Sequence, residues 1–374
     1  MSRFSLELAT RSDDRDLRTV IANTTMPGRV ALSFRREPSY FDGAAVEGDW
    51  QQVVVARDEQ DGRVVGFGSR SGRALYVHGQ PMNLGYLSNL RLLPSLRGGS
   101  LLARGYRKFK ELHQDGRAPF YLTSIAEHNR SATRLLTSAR AGLPAYHPLG
   151  TYHTLVLPIS RRPVQHSPES ACSIRAATQH DLVRVGEFLN EVGSRYQFFP
   201  CYRNTDFTGD RPTFRGLEAS DILLAFDHAD KDKLVGVLGL WDQHTFRQTV
   251  VESYGGLLKR GRWLYNAWAW SRGKAPLPHP GSTLRYLTAA FPVVRDDRSE
   301  VLTSLLKTAV QRRAAGEWQY LLLGLHKTDP CLAAASRLAR EEYVTRIFAV
   351  HWEDGKASLD RLDARPIYLE LGCL

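Results

Sequence analysis

Residues 86–99 read YLSNLRLLPSLRGG and run straight into SLLARGYRKFKELHQDG, residues 100–116. Apolar residues crowd the first part, a proline closes it, and an arginine with two adjacent glycines leads into a segment of helical period. The order is therefore strand, tight loop, helix. In that helix Leu101, Leu102, Gly105, Phe109 and Leu112 fall inward, Arg104, Arg107, Lys108 and Glu111 outward, and Gly116 is the stop. A helix start leaves its first amides without partners and carries partial positive charge, so it can hold a diphosphate wherever no side chain blocks the approach. Gly98 and Gly99 remove such a block, and Arg97 adds a charged donor. Gly-Gly also serves as a plain turn before a helix; the strand ahead of it favours the phosphate reading.

Outward from this stretch the first half orders itself as β-α-β-β-β-α-β-α-β. FSLELAT is a strand, and SDDRDLRTVIANT a helix with Leu17, Val20 and Ile21 on one face and Ser12 or Asp13 as cap. QQVVVARDEQDGRVVGFGSR is a hairpin around Asp61-Gly62. FYLTSIAEH is a strand, NRSATRLLTSAR a helix and TYHTLVLPI a closing strand. After the polar joint SRRPVQHSPES the order begins again, so the chain divides into 1–158, a linker at 159–171, and 172–374. YLTAAFPVVRDD repeats the run from Tyr-Leu to P-x-x-R: Pro94 and Arg97 match Pro292 and Arg295. The helix that follows buries Val301, Leu302, Leu305, Leu306 and Ala309. Where the first half has Gly98-Gly99, the second has Asp296-Asp297, whose carboxylates repel a diphosphate. One phosphate site per chain, in the first half, is the expectation.

Composition narrows the partners. At 374 residues the chain exceeds the roughly 250–300 at which single cores stop growing, which suits two domains. With 43% hydrophobic and 24% charged residues it reads as soluble and globular. No run approaches the eighteen or so apolar residues that cross a bilayer, and Glu7, Asp13 and Asp14 argue against a secretory signal; the cytoplasm is the expected compartment. Cys172, Cys201, Cys331 and Cys373 show no metal-ligand spacing, so no metal is expected. A net charge of +11 draws something acidic, but the basic residues come in scattered pairs without the dense stripe of a specific nucleic-acid binder.

The chain resembles the GCN5-related N-acetyltransferase (GNAT) superfamily, in a tandem arrangement over nearly its whole length. YLSNLRLLPSLRGG is similar to the family's fourth strand and acyl-CoA pyrophosphate loop, and EHNRSATRLL to its N-x-x-A-x-x-L-Y motif through Asn129, Ala132 and Leu135. The resemblance implies an α+β fold of two GNAT-like domains, each a mixed, mostly antiparallel sheet flanked by helices, the second degenerate. It implies an N-acyltransferase that moves an acyl group from acetyl-CoA, or another acyl-CoA, to an amine of a small-molecule or peptide acceptor. A non-catalytic acyl-CoA sensor and an aminoacyl or long-chain acyl transferase are the alternatives, and a homodimer stays open. Leu92, Leu93, Arg97, Gly98, Gly99, Ser100, Leu101, Leu102 and Asn129 are the implied cofactor-binding positions. Leu102 is bulky where the family carries a small residue, and Leu136 stands where it often has the tyrosine that protonates the departing thiolate.

A backbone N–H near Leu92 or Leu93 would polarise the thioester carbonyl. Glu127, ahead of Asn129, is the candidate general base, with His128 second; Tyr146 and Tyr152 are the nearest substitutes for the missing tyrosine. Distant tandem members of the superfamily use a C-terminal carboxylate as base, which adds Leu374, after the apparent strand PIYLELGCL. The second half also carries an aromatic and basic insertion within 243–282, with Trp263, Trp268 and Trp270 among Lys and Arg. It reads as a lid over the acceptor, a membrane-interface contact, or a packed insertion that buries its tryptophans.

Overall fold

The computed structural model describes residues 3–26, 28–96, 98, 100–138, 142–159, 172–208, 213–271, 276–313 and 316–374. Arg97, Gly99 and all but the first residue of the expected linker lie outside the described residues. The first half carries strands β1 (Phe4–Leu8), β2 (Val30–Arg35), β3 (Trp50–Asp58), β4 (Val64–Val77), β5 (Gln80–Leu92), β6 (Tyr121–Ala126) and β7 (Ala145–Pro158). Its helices are α1 (Asp14–Ala22), α2 (Tyr40–Ala44), α3 (Leu101–His113) and α4 (Arg130–Leu136). The second half carries β8 (Ser173–Ala176), β9 (Ile222–Phe226), β10 (Leu234–Trp241), β11 (Gln248–Tyr254), β12 (Tyr286–Val294), β13 (Tyr320–His326) and β14 (Glu341–His351). Its helices are α5 (Leu182–Gly193), α6 (Gly256–Ser271), α7 (Ser299–Arg312), α8 (Leu332–Ser336) and α9 (Lys356–Leu359).

Twelve of these strands form one sheet in the order β1-β3-β4-β5-β6-β14-β7-β13-β12-β10-β9-β8, and β11 pairs with β2 beside it. The pairing is antiparallel except for two short parallel contacts, Gly85 and Tyr86 of β5 beside Tyr121 and Leu122 of β6, and Tyr286–Thr288 of β12 beside Tyr320–Leu322 of β13. Beyond those contacts each parallel pair opens like a fork. At the centre the two halves interleave: β14 lies between β6 and β7, and β7 between β14 and β13. The expected α+β class, a mixed and mostly antiparallel sheet flanked by helices, is the observed one.

Local burial follows the sequence pattern where the pattern is strong. Leu17, Val20 and Ile21 of α1 are buried, as are Val301, Leu302, Leu305, Leu306 and Ala309 of α7. In α3 the inward face is rotated from expectation: Leu101, Tyr106, Phe109 and His113 are buried, while Leu102 and Leu112 are only partly so. The two polar residues go inward because they have partners, Tyr106 at the Tyr146 hydroxyl and His113 at the Tyr121 hydroxyl (3.1 Å) and Asp354 (2.9 Å).

Two expectations need correction. PIYLELGCL is not a strand; it runs irregularly into a 3-10 turn at Leu371–Cys373. Tyr368, Leu369 and Glu370 are all buried; the segment is held by a single backbone bridge at Ile367, with the Gln197 amide donating to the Pro366 carbonyl (2.8 Å) and the Tyr368 amide to the Gln197 carbonyl (2.9 Å), and by the Tyr152 hydroxyl on the Leu369 carbonyl. The insertion forms β11 and α6, and α6 leaves Trp263 and Trp268 exposed, which sets aside the reading that both are packed away. No helix among the described residues is long and apolar enough to cross a membrane.

Candidate active site

The fork between β5 and β6 is built by a bulge. Opposite β4, Phe67 pairs with Arg91 but Ser69 pairs with Ser88, so Gly68 faces both Asn89 and Leu90. Asn89 takes the left-handed conformation, φ 55°, which asparagine tolerates better than most residues. Its Nδ2 donates to Ser88 Oγ (3.1 Å), Ser69 Oγ (3.2 Å) and Glu47 Oε1 (3.4 Å). The second half repeats the feature: Val237 pairs with Val293 but Gly239 with Ala290, and Phe291 has φ 38°. Matching bulge to bulge sets Arg91 beside Val293 and Pro94 beside Asp296. Pro292 lies inside β12, level with Leu90, so the P-x-x-R likeness of the two halves is offset by four residues.

Past the bulge, Pro94–Leu96 form a 3-10 turn and α3 starts at Leu101. Gly98 has φ 89°, and a Cβ there would meet nothing within 4 Å. The first turn of α3 holds no acidic residue, and Ser100, at the N-cap, makes no side-chain capping bond. The start of α3 is therefore free of the carboxylates that compete with phosphate. Leu102 packs its side chain against the cluster of Val54, Leu87, Tyr106 and Phe109. Leu92, Leu93, Leu96 and Leu101 pack with Ala56 and Val65 beneath it. The Leu93 amide donates to the Val65 carbonyl at 3.0 Å and is not available to a ligand. Amides alternate direction along an antiparallel strand, so the Leu92 amide faces the fork.

The second half's loop is shorter, residues 295–298 against 93–100, and it is closed by charge. Arg295 grips Glu191 through both terminal nitrogens (2.6 and 2.9 Å). Asp297 accepts from the Tyr196 hydroxyl at 2.9 Å, and Asp296 faces Arg195 at 3.4 Å. Glu300 sits in the first turn of α7.

At the apex of the first half's fork, Tyr86 and Ser124 join β5 to β6 by a 2.9 Å hydroxyl pair. A cavity of about 50 Å³ lies there, walled by Glu47, Arg73, Gly85, Tyr86, Glu370 and Leu374 among others. Glu47 is fully buried and accepts from Arg36 (2.6 Å), Ser88 (3.0 Å), Arg247 (3.1 Å) and Gln51 (3.2 Å). Arg247 also donates to the Gly372 and Leu374 carbonyl oxygens at 2.9 and 3.1 Å. Burial, and then the neighbouring Arg36 charge, pull the Arg247 guanidinium down to about 10. None of Glu47, Arg36, Arg247 or Glu370 stands out in the sequence, since a charged residue in an irregular segment reads as surface; Asn89 opposite Gly68 was the available signal for the bulge.

The remaining candidates are dispersed. Glu127 is half-exposed and forms a loose pair with Arg346 of β14 at 3.8 Å. His128 lies edge-on to the Tyr343 ring. Asn129 caps α4, accepting from the Ala132 amide at 3.2 Å and from Ser131 Oγ at 3.1 Å. Tyr152 is buried, its hydroxyl donates to the Leu369 carbonyl at 2.8 Å, and burial raises its pKa well above the usual range. Its observed place is a tie between β7 and the C-terminal segment. Leu374 packs beside Tyr152, Leu369 and Leu371 with its carbonyl oxygen on Arg247. Among the described residues no cluster of His, Cys, Asp and Glu is arranged to hold a metal ion.

No protein-family model matches the sequence, and no curated protein matches it. Solved structures do. A Saccharomyces cerevisiae N-myristoyltransferase with bound myristoyl-CoA aligns over 94% of this chain and 83% of its own, at 10% identity and TM-score 0.59. A second structure of the yeast enzyme with bound myristoyl-CoA covers 94% and 79%, at 11% identity and TM-score 0.60. A GCN5-related glucosamine N-acetyltransferase region in a fungal multi-domain β-N-acetylglucosaminidase covers 93% of this chain and 38% of that one, at 14% identity and TM-score 0.62. The chain shares its fold with N-myristoyltransferase and with a GCN5-related N-acetyltransferase region.

Proposed function

We propose that this protein is an acyl-CoA-dependent N-acyltransferase with one cofactor site, in the first half. The observation that carries the reading is the start of α3, which lacks a side-chain cap and acidic residues and follows a bulged strand, while the matching place in the second half is filled by Asp296, Asp297 and Glu300. The amides around Gly98, Ser100, Leu101 and Leu102 would hold the pyrophosphate, with Arg97 and Gly99 completing the loop. The Leu92 amide would polarise the thioester carbonyl, and Glu127 would take the amine's proton through water. Acetyl-CoA is the simplest donor, the acceptor is a small-molecule or peptide amine, and the cytoplasm supplies both. A longer acyl chain is the second reading, favoured by the myristoyl-CoA bound in the yeast structures.

Thermal shift and calorimetry with CoA, acetyl-CoA, octanoyl-CoA and myristoyl-CoA test this directly. The expected result is saturable binding of CoA itself, with chain length ranking the acyl donors. Ser100→Asp sets a carboxylate at the mouth and should weaken CoA at least tenfold while leaving stability within about 0.5 kcal/mol, since a negative charge suits a helix start. Leu102→Ala should cost about 1–2 kcal/mol of stability, as a partly buried leucine does, without changing CoA affinity. Absence of any CoA response in the unmodified protein overturns the cofactor site. Release of free thiol from acyl-CoA in the presence of an amine separates an enzyme from a sensor, and Glu127→Gln should slow that release without moving CoA affinity.

A further inference from the structure

The C-terminal segment brings a carboxylate of the second half to the fork of the first. Glu370 is 4% exposed. Its Oε2 accepts from the Tyr368 hydroxyl (2.7 Å), the Phe291 backbone N–H (2.9 Å) and the Tyr202 hydroxyl (3.2 Å). Its Oε1 is buried and meets no donor at full hydrogen-bond geometry among the described residues, though the Gly372 backbone N–H also faces the carboxyl. A buried carboxylate oxygen without a donor is costly, and such an atom in a folded protein calls for a ligand or a proton.

The nearby cations do not supply one. Arg73 reaches Cys373 Sγ at 3.6 Å, Thr213 Oγ at 3.4 Å and Asp206 at 3.7 Å. Arg247 is occupied by Glu47 and by main-chain oxygens. Glu370 and Glu47 both wall the cavity of about 50 Å³, which has room for roughly four water-sized groups. Gly85 and Tyr86, the last residues of β5 to pair with β6, wall it too. What would enter is small, rich in N–H donors and positively charged, and it would arrive at the apex of the fork.

We infer that Glu370 Oε1 is an amine-recognition group, receiving the ammonium of a primary amine whose first carbons fill the cavity between Glu370 and Glu47. The inference rests on the N-acyltransferase reading for its purpose, and it names the acceptor class: small primary amines, whose ammonium offers Oε1 an N–H donor. It also gives the second half a share in the site, because Glu370 is held by the amide of that half's own bulge.

Calorimetric titration with methylammonium chloride, against tetramethylammonium and sodium chloride, tests it on the full chain. The expected result is saturable, millimolar binding of methylammonium, none of tetramethylammonium, and at least a tenfold loss in Glu370→Gln. That variant keeps an acceptor for Tyr202, Tyr368 and Phe291, and an unchanged CoA-induced thermal shift certifies its fold. In turnover, Glu370→Gln should raise the KM for an amine at least tenfold without altering CoA affinity. No methylammonium binding by the unmodified protein, or equal binding by Glu370→Gln, overturns the inference. A missing CoA response alone overturns the transferase reading and leaves the ammonium site standing.

Discussion

The backbone N–H of Phe291 donates to Glu370 Oε2 at 2.9 Å, and this bond marks a difference between the two halves at their matching bulges. Both halves keep the bulge, at Asn89 and at Phe291. In the first the strand past the bulge faces an open fork; in the second the bulge amide is already occupied by a buried carboxylate. Glu370 thus sits between the second half's bulge and the cavity at the apex of the first half's fork.

Removing that carboxylate should matter more than neutralising it. Glu370→Ala leaves two tyrosine hydroxyls and the Phe291 N–H buried without an acceptor, at roughly 1–3 kcal/mol for each such group. We expect Glu370→Ala to lose about 3 kcal/mol or more in urea unfolding, and Glu370→Gln to stay within about 1 kcal/mol of the unmodified protein. Equal losses would mean that Oε2 is not the anchor described.

Glu47 is the other buried hub. Glu47→Gln would leave Arg36 and Arg247 facing each other in a buried setting, and breaking a buried pair in this way costs about 3–5 kcal/mol. The same substitution should lower the Arg247 pKa further, because Glu47 is what opposes burial and Arg36 there. Denaturant titration reads the loss; a change below about 1 kcal/mol would show the network to be dispensable.

The layered α+β architecture is legible in the sequence because it depends on periodicity: the five buried residues of α7 and the three of α1 can be picked by spacing alone. The loop at Pro94–Gly99 is legible as well, being marked by proline and glycine. Three features are not. Interleaving of β7 and β14 involves residues about 200 apart, and neither strand's alternation says which neighbour it takes. The four-residue offset between the halves hides behind a chance P-x-x-R likeness, since only strand register reveals that Pro292 lies within β12. Glu47 and Glu370 follow no period, and their burial comes from partners on distant segments. The C-terminal segment shows the converse error, an alternating pattern that meets only a single backbone bridge, at Ile367, in place of a ladder.

Asn89 should separate backbone strain from hydrogen bonding. At φ 55° a residue with a Cβ is disfavoured by about 1–2 kcal/mol relative to glycine, and the Nδ2 bonds to Ser69 and Ser88 add about 1 kcal/mol. Asn89→Gly loses the bonds but sheds the strain, so it should stay within about 1 kcal/mol of the unmodified protein; Asn89→Ala loses the bonds and keeps the strain, and should fall by about 1–2 kcal/mol. Chemical denaturation of the pair decides, and equal losses would refute the strained bulge.

Asp329 and His326 are joined by a 2.9 Å bond from the Asp329 amide to the His326 carbonyl, and they titrate in opposing senses. Burial lifts the Asp329 carboxyl to about 6, with Asp297 adding to the rise against the Cys331 amide that donates to it. Burial pushes the His326 imidazole down to about 4, with Lys327 and His153 adding to the fall against a backbone bond at Leu149. The folded carboxyl keeps a proton that the unfolded one has released, so Asp329 costs stability progressively as pH rises from about 4 to 6. The folded imidazole refuses a proton that the unfolded one binds below about 6.5, so His326 costs stability as pH falls towards 4. In the unmodified protein the two slopes offset. Asp329→Asn should therefore expose a stability that climbs with pH between 4 and 6.5, and His326→Gln one that declines, each by about 1–2 kcal/mol given the half-buried Asp329. Urea unfolding at pH 4.5, 5.5 and 6.5 makes the comparison, and three parallel curves would show that neither group is shifted by folding.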